Sequence, residues 1–270
     1  MAASYRKGSL FLFKRVIILS LICILLLSSI GQAYGSLVYN IISASNTIKI
    51  ESPHYGSNMR IMVEKGDNKY YYNLNNPVEN IPIQLGEGSY IVKILQNIKG
   101  NSYKVVGKSA IEIINNSSDI YTSSSQPVYW DNKENVIEFA KELTLDKQSD
   151  KEKVEAIYKF IINGVKYDYG KISNISSDYV PDLEKVLKDK KGICYDYSAL
   201  FAGMLRSLGI QTKLVKGYKN DLKEYHAWNE VLIDDKWVII DTTYDAALKK
   251  GNQNVSMYKV AEEYTKVREY

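Results

Sequence analysis

With 270 residues, 45% of them hydrophobic and 24% charged, the chain has the balance of a globular protein with room for one large domain or two modest ones, and is neither disordered nor fibrous. Its formal charge of +4 comes from Arg6, Lys7, Lys14 and Arg15, which meet no acid before residue 36. With those set aside, 31 of the 35 basic residues face 31 acidic ones; no basic surface is implied, and nucleic acid is excluded as an expected partner.

The four charges precede an apolar run over residues 16–30, which ends near Gly31, Ala33, Gly35 and Ser36. A basic start, a short apolar core and small residues after it predict a secretory signal peptide over 1–35, with a single N-terminal membrane anchor as the alternative. Cys23 falls inside the apolar core, and Ile22 before it is too bulky for a lipoprotein cleavage site. Export would leave Cys194 as the one remaining cysteine, which excludes an internal disulfide and places a solitary thiol outside the cell or at its envelope.

Residues 47–51, 59–65, 69–73, 89–96 and 103–114 are rich in Ile, Val and Tyr and are separated by Gly-, Asn- and Asp-containing turns. They predict a small all-β sandwich over 36–114, of immunoglobulin-like type. A polar, serine-rich stretch follows, read as a linker over 115–130. Helical spacing then appears at 135–143 and 151–163, with Ser149 and Asp150 as N-cap candidates, and again at 181–189. Strands are expected at 211–218, 226–233 and 236–243. Val260, Tyr264 and Val267 have the spacing of a last short helix. Helices followed by an antiparallel sheet give an α+β fold over 131–270.

Cys194 opens the best-marked helix. Apolar residues at 193, 197, 200, 201, 204, 205 and 208 form one buried stripe, and Gly209 supplies a left-handed stop. A thiol in a first turn points at unpaired N–H groups and the positive end of the helix dipole, which favour its thiolate. Downstream, Asp234 and Asp235 form a two-residue hairpin turn between two strands. Such a turn pairs residues so that Asp241 faces Trp228. Since strand residues alternate, Asp241 then shares a face with His226 and lies diagonal to it, within side-chain reach. A three-residue turn would put Asp241 on the wrong face.

These residue types belong together chemically. A thiol needs an imidazole to take its proton and later hand one to a leaving group; the imidazole needs an acceptor on its far nitrogen to fix tautomer and orientation. Cys194, His226 and Asp241 supply nucleophile, base and orienter. Taken singly, each has a structural reading, as a core thiol, a satisfied strand histidine and a turn cap; the joint arrangement carries the argument.

The segments Gly-Ile-Cys194-Tyr-Asp-Tyr-Ser-Ala-Leu-Phe, Leu-Arg-Ser-Leu-Gly-Ile, Gly217-Tyr218, His226-Ala-Trp-Asn-Glu-Val and Lys-Trp237-Val-Ile-Ile-Asp241-Thr-Thr together resemble the core of the transglutaminase-like superfamily, over roughly 135–250. The resemblance implies a papain-like fold, a triad of Cys194, His226 and Asp241, and acyl transfer through a thioester to an amine or to water. The superfamily spans cross-linking enzymes, deamidases, peptidases and inactive binding members, so the reaction stays open. No metal or nucleotide motif is present and no cofactor is expected.

Around this core the readings are less sharp. Tyr167, Tyr218 and Trp228 are candidates for a second oxyanion donor beside the Cys194 N–H. Trp228 and Trp237 are read as packing, Asp196 as a first-turn charge, Lys188, Lys190 and Lys191 as a solvated run, and Tyr70, Tyr71 and Tyr72 as cover for a sandwich face. His54 has no companions. The expected protein is an exported cysteine acyltransferase or amide hydrolase acting on a protein or cell-wall peptide, hydrolysis being favoured because nothing marks an amine site. The alternative is a catalytically silent envelope-binding scaffold.

Overall fold

The computed structural model describes residues 40–43, 47–114 and 118–270, all within one compact unit, Val38–Tyr270. The expected signal peptide and Cys23 lie outside the described residues. Among the described residues, no helix is long and apolar enough to cross a membrane.

The N-terminal region is all-β: β1 (Asn40–Ser43), β2 (Thr47–Glu51), β3 (Met59–Lys65), β4 (Asn68–Asn73), β5 (Val78–Pro82), β6 (Gly88–Lys99) and β7 (Ser102–Ile113). They form two antiparallel sheets, ordered β1-β2-β5 and β4-β3-β6-β7. Alternation buries Ile48, Ile50 and Ile81 in the first and Ile61, Val63, Val92 and Ile94 in the second. The sequence reading missed β1 and β5, which are short and carry Asn, Glu and Pro. Within the triple tyrosine run, Tyr70 and Tyr72 are buried and Tyr71 is exposed, as strand alternation requires.

The connecting stretch, described from Ser118, holds fast to what precedes it. Gln126 is buried; its side chain accepts from the Asn73 N–H at 2.8 Å and donates to Glu79 at 3.1 Å. Glu79 also takes the Tyr129 hydroxyl.

The second region runs α1 (Glu134–Leu143), α2 (Asp150–Gly164), β8 (Lys166–Tyr167), α3 (Tyr169–Ile172), α4 (Leu183–Asp189), β9 (Lys191–Gly192), α5 (Cys194–Ser207), β10 (Thr212–Lys219), β11 (His226–Ile233), β12 (Lys236–Ile240), α6 (Thr242–Lys250) and β13 (Tyr264–Glu269). Ser149 caps α2 in a capping box with Glu152. Helix α5 is the hub: Leu200, Phe201, Met204 and Leu205 are fully buried in the core cluster, each contributing about 2 kcal/mol of apolar burial. Gly209 ends it with φ of 78°. The protein is thus α+β, an all-β region preceding a helical core packed on the antiparallel sheet β12-β11-β10-β13.

Two expectations are corrected. The C-terminal stretch holding Val260, Tyr264 and Val267 is not a helix beyond one 3-10 turn at Ala261–Glu263; it becomes edge strand β13 on β10. Spacings of four and three are helical, but pairing with the open edge of β10 overrides them and leaves Val267 exposed. The strand expected over 236–243 stops at Ile240, because the Asp241 side chain accepts from the Tyr244 N–H at 3.0 Å and starts α6.

Candidate active site

Cys194 is the first residue of α5 and is half-buried. The start of that helix is fixed by Asp196, which is fully buried: its Oδ2 accepts from the Ile193 N–H at 2.8 Å and from Lys171 Nζ at 2.7 Å, and its Oδ1 takes the Tyr179 hydroxyl. Gly192 permits this approach, since a Cβ there would lie 2.4 Å from that of Asp196. Asp196 therefore does more than supply first-turn charge; it anchors the turn that presents the thiol. The short parallel pair β8–β9 sets Tyr167 opposite Gly192, two residues before Cys194. Burial, aided by the nearby Cys194 charge, pushes that phenol up to about 12.

His226 opens β11. The β11–β12 register runs Ile233 with Lys236 to Asn229 with Ile240, and both turn residues have positive φ (49° and 60°), the two-residue geometry expected. One residue beyond the ladder, Asp241 lies diagonal to His226, and Nε2 of the ring meets Asp241 Oδ2 at 2.8 Å. The Tyr264 hydroxyl donates to the same carboxylate oxygen at 3.1 Å. Nε2 being engaged, Nδ1 is the nitrogen left for Cys194. Burial opposes charge on His226, but the hydrogen bonds to Asp241 and Cys194 and the charges of both outweigh it, and its pKa is pushed up to about 10. Gly217, paired with His226, keeps this corner tight: a Cβ there would lie 2.0 Å from the Thr265 carbonyl oxygen and 2.8 Å from the Trp228 ring.

Of the three candidate oxyanion donors, only Tyr167 stands against Cys194. Tyr218 is exposed and packs edge-on against Tyr225. Trp228 is buried, its ring stacked 6.4 Å from His226 and 5.0 Å from Tyr264, with its indole N–H unpartnered. Trp237 packs on Tyr121 and under Lys213, and His54 sits in a turn with Ser52. Lys191 pairs with Asp168 at 3.1 Å. Sequence reasoning missed Lys216, on the Leu214 side of β10, and Tyr264. A lysine two residues after a core leucine in a strand was the available signal for the first; the second was hidden by the helical reading.

The site thus holds a half-buried thiol at a helix start and an imidazole bonded to a fully buried carboxylate, carried on an α+β fold. Residues 137–242 match the family described as the transglutaminase-like superfamily, so the chain carries a transglutaminase-like domain. The chain is similar to kyphoscoliosis peptidase of Homo sapiens, at 27% identity over 48% of this chain and 20% of that protein, and of Mus musculus, at 28% identity over 41% and 18%. It therefore spans about a fifth of the length of these curated relatives. Among solved structures it resembles the periplasmic domain of TgpA from Pseudomonas aeruginosa, with 16% identity, a TM-score of 0.40 and coverage of 82% of this chain and 80% of that one.

Proposed function

We propose that this protein is an exported cysteine acyltransferase or amide hydrolase acting on protein or cell-wall peptide amides, with Cys194, His226 and Asp241 as its triad. The observation that carries this reading is the 2.8 Å bond between His226 and the buried Asp241, with the Cys194 charge among the causes that keep the ring protonated. The Cys194 thiolate attacks the amide carbon and a carbon–sulfur bond forms. The oxyanion is held by the Cys194 N–H and the Tyr167 hydroxyl. Imidazolium His226 gives its proton to the leaving nitrogen, the carbon–nitrogen bond breaks, and ammonia or an amine departs from a thioester. Water, the acceptor favoured here, or an amine then attacks; His226 takes its proton, and the thiolate leaves.

Wild type and Cys194→Ala incubated with glutamine-bearing peptides and cell-wall peptides test this, with ammonia release, amine incorporation and chain cleavage followed together. One of the three should appear with wild type only. None with wild type would favour the silent scaffold. Tyr167→Phe should lower kcat/KM for that reaction by ~10²-fold, the order seen when one oxyanion donor is removed, while leaving alkylation of Cys194 by iodoacetamide, which builds no oxyanion, within about twofold.

A further inference from the structure

Lys216 is unusual. It lies on the face of β10 that carries the core residue Leu214, its Nζ is 3.3 Å from the centroid of the Tyr195 ring and 5.5 Å from that of Tyr270, and burial pushes its pKa down to about 8 against the pull of the Cys194 charge. Among the described residues no carboxylate acts on it; Cys194 is the one charge that does. The amine lines a cavity of about 110 Å³ walled by Tyr72 and Asn73 of β4 and by Tyr179, Tyr195 and Tyr270 of the second region, with no acidic residue in its lining. That volume suits a few waters or the head of one acidic side chain, since a water takes roughly 30 Å³. An ammonium held over aromatic rings and largely out of water is stabilised only partly by the rings, and an incoming carboxylate would gain a charge-assisted bond with little competition.

The cavity borders the start of α5. Tyr195 follows Cys194 directly in the chain, and Tyr179, edge-on to it, holds Asp196, the anchor of the same helix start. Asn73 of the all-β region donates to the Asp178 carbonyl at 2.6 Å, so β4 braces the segment carrying Tyr179. The all-β region thereby helps wall the cavity.

The geometry points to a carboxylate subsite: the acyl donor carries an acidic group close to its reacting amide, and Lys216 is the cation that receives it. This rests on Cys194 being the nucleophile of the proposed reaction. The carboxylate can belong to an aspartate or glutamate side chain or to a chain terminus; the chemistry is the same and the probes separate them.

Three chloroacetyl peptides of equal length form the test: one neutral and amidated, one ending in a free carboxylate, and one amidated but bearing aspartate. Each alkylates Cys194 by forming a carbon–sulfur bond and expelling chloride. At pH 7 at least one acidic probe should label wild type ~10-fold faster than the neutral probe, the scale of one charge-assisted contact. Lys216→Met should reduce that advantage to near unity, with any loss of charge beside Cys194 slowing all three probes by a common factor, and Lys216→Arg should keep part of it. The acidic probe that gains identifies the source of the carboxylate. An acid-to-neutral ratio equal in wild type and Lys216→Met overturns the subsite; slowing of all three probes at that unchanged ratio would make Lys216 a counter-charge to the thiolate alone. The neutral probe judges the nucleophile separately: slow labelling unaffected by His226→Ala would reject the catalytic reading whatever the ratio.

Discussion

His226→Ala is expected to lower acyl transfer by on the order of 10⁴-fold or more, as removing one member of a group that acts as a unit does, and to reshape the reactivity of Cys194. In wild type, iodoacetamide should label Cys194 faster at pH 6 than it does in His226→Ala. The ring holds its proton until pH rises through about 10, so over this range it pairs with the sulfur's negative charge. A free thiol with a pKa of ~8.5 is ionised to only about one part in 300 at pH 6. Pairing with imidazolium favours the reactive anion, while the lower basicity of a paired sulfur takes back part of the gain; about a tenfold excess over His226→Ala at pH 6 is expected. In the variant, labelling should rise with pH along the titration of an ordinary thiol. Above pH 10 wild-type turnover should fall, because neutral His226 can no longer protonate the leaving nitrogen. Superimposable alkylation profiles for the two proteins would reject the Cys194–His226 pair.

The parts of this site that could be read from the chain are those governed by local rules. The Asp234-Asp235 turn sets the hairpin register, and the register puts Asp241 diagonal to His226; the 2.8 Å contact is that deduction realised. The Cys194 helix was legible because its apolar stripe and its glycine stop agree. What escaped depends on distant pairing. Strand β13 is defined by the open edge of β10 rather than by its own residues, and with it went Tyr264, whose hydroxyl donates to Asp241. The placement of Tyr167 needs the two-residue pairing of β8 with β9, too short to leave a periodic signal. Lys216 acquires its surroundings from Tyr195 and Tyr270, on elements that meet it only in the fold.

Asp241 serves two ends of the structure at once, and its variants should separate them. Oδ2 accepts from the ring side of His226 and from Tyr264, while Oδ1 caps α6 through the Tyr244 N–H. Asparagine caps a helix about as well as aspartate, so Asp241→Asn should melt near wild type. At the ring, however, an amide removes the charge that favours imidazolium and no longer holds the proton on Nε2, so Nδ1 meets the thiol in the wrong state. A fall in kcat/KM approaching ~10⁴-fold is expected, the scale seen when a triad aspartate becomes asparagine. The His226 titration, followed by NMR, should move down from about 10, since Asp241 supplies one of the hydrogen bonds and one of the charges that raise it. Asp241→Ala should lose the activity and also about 1 kcal/mol of helix-cap stability, with the half-buried Tyr264 losing the acceptor of its hydroxyl as well. Activity retained in Asp241→Asn would remove Asp241 from the triad and leave it a cap. If the rate and the melting temperature of Asp241→Asn fell together, the loss would belong to the fold rather than to the ring.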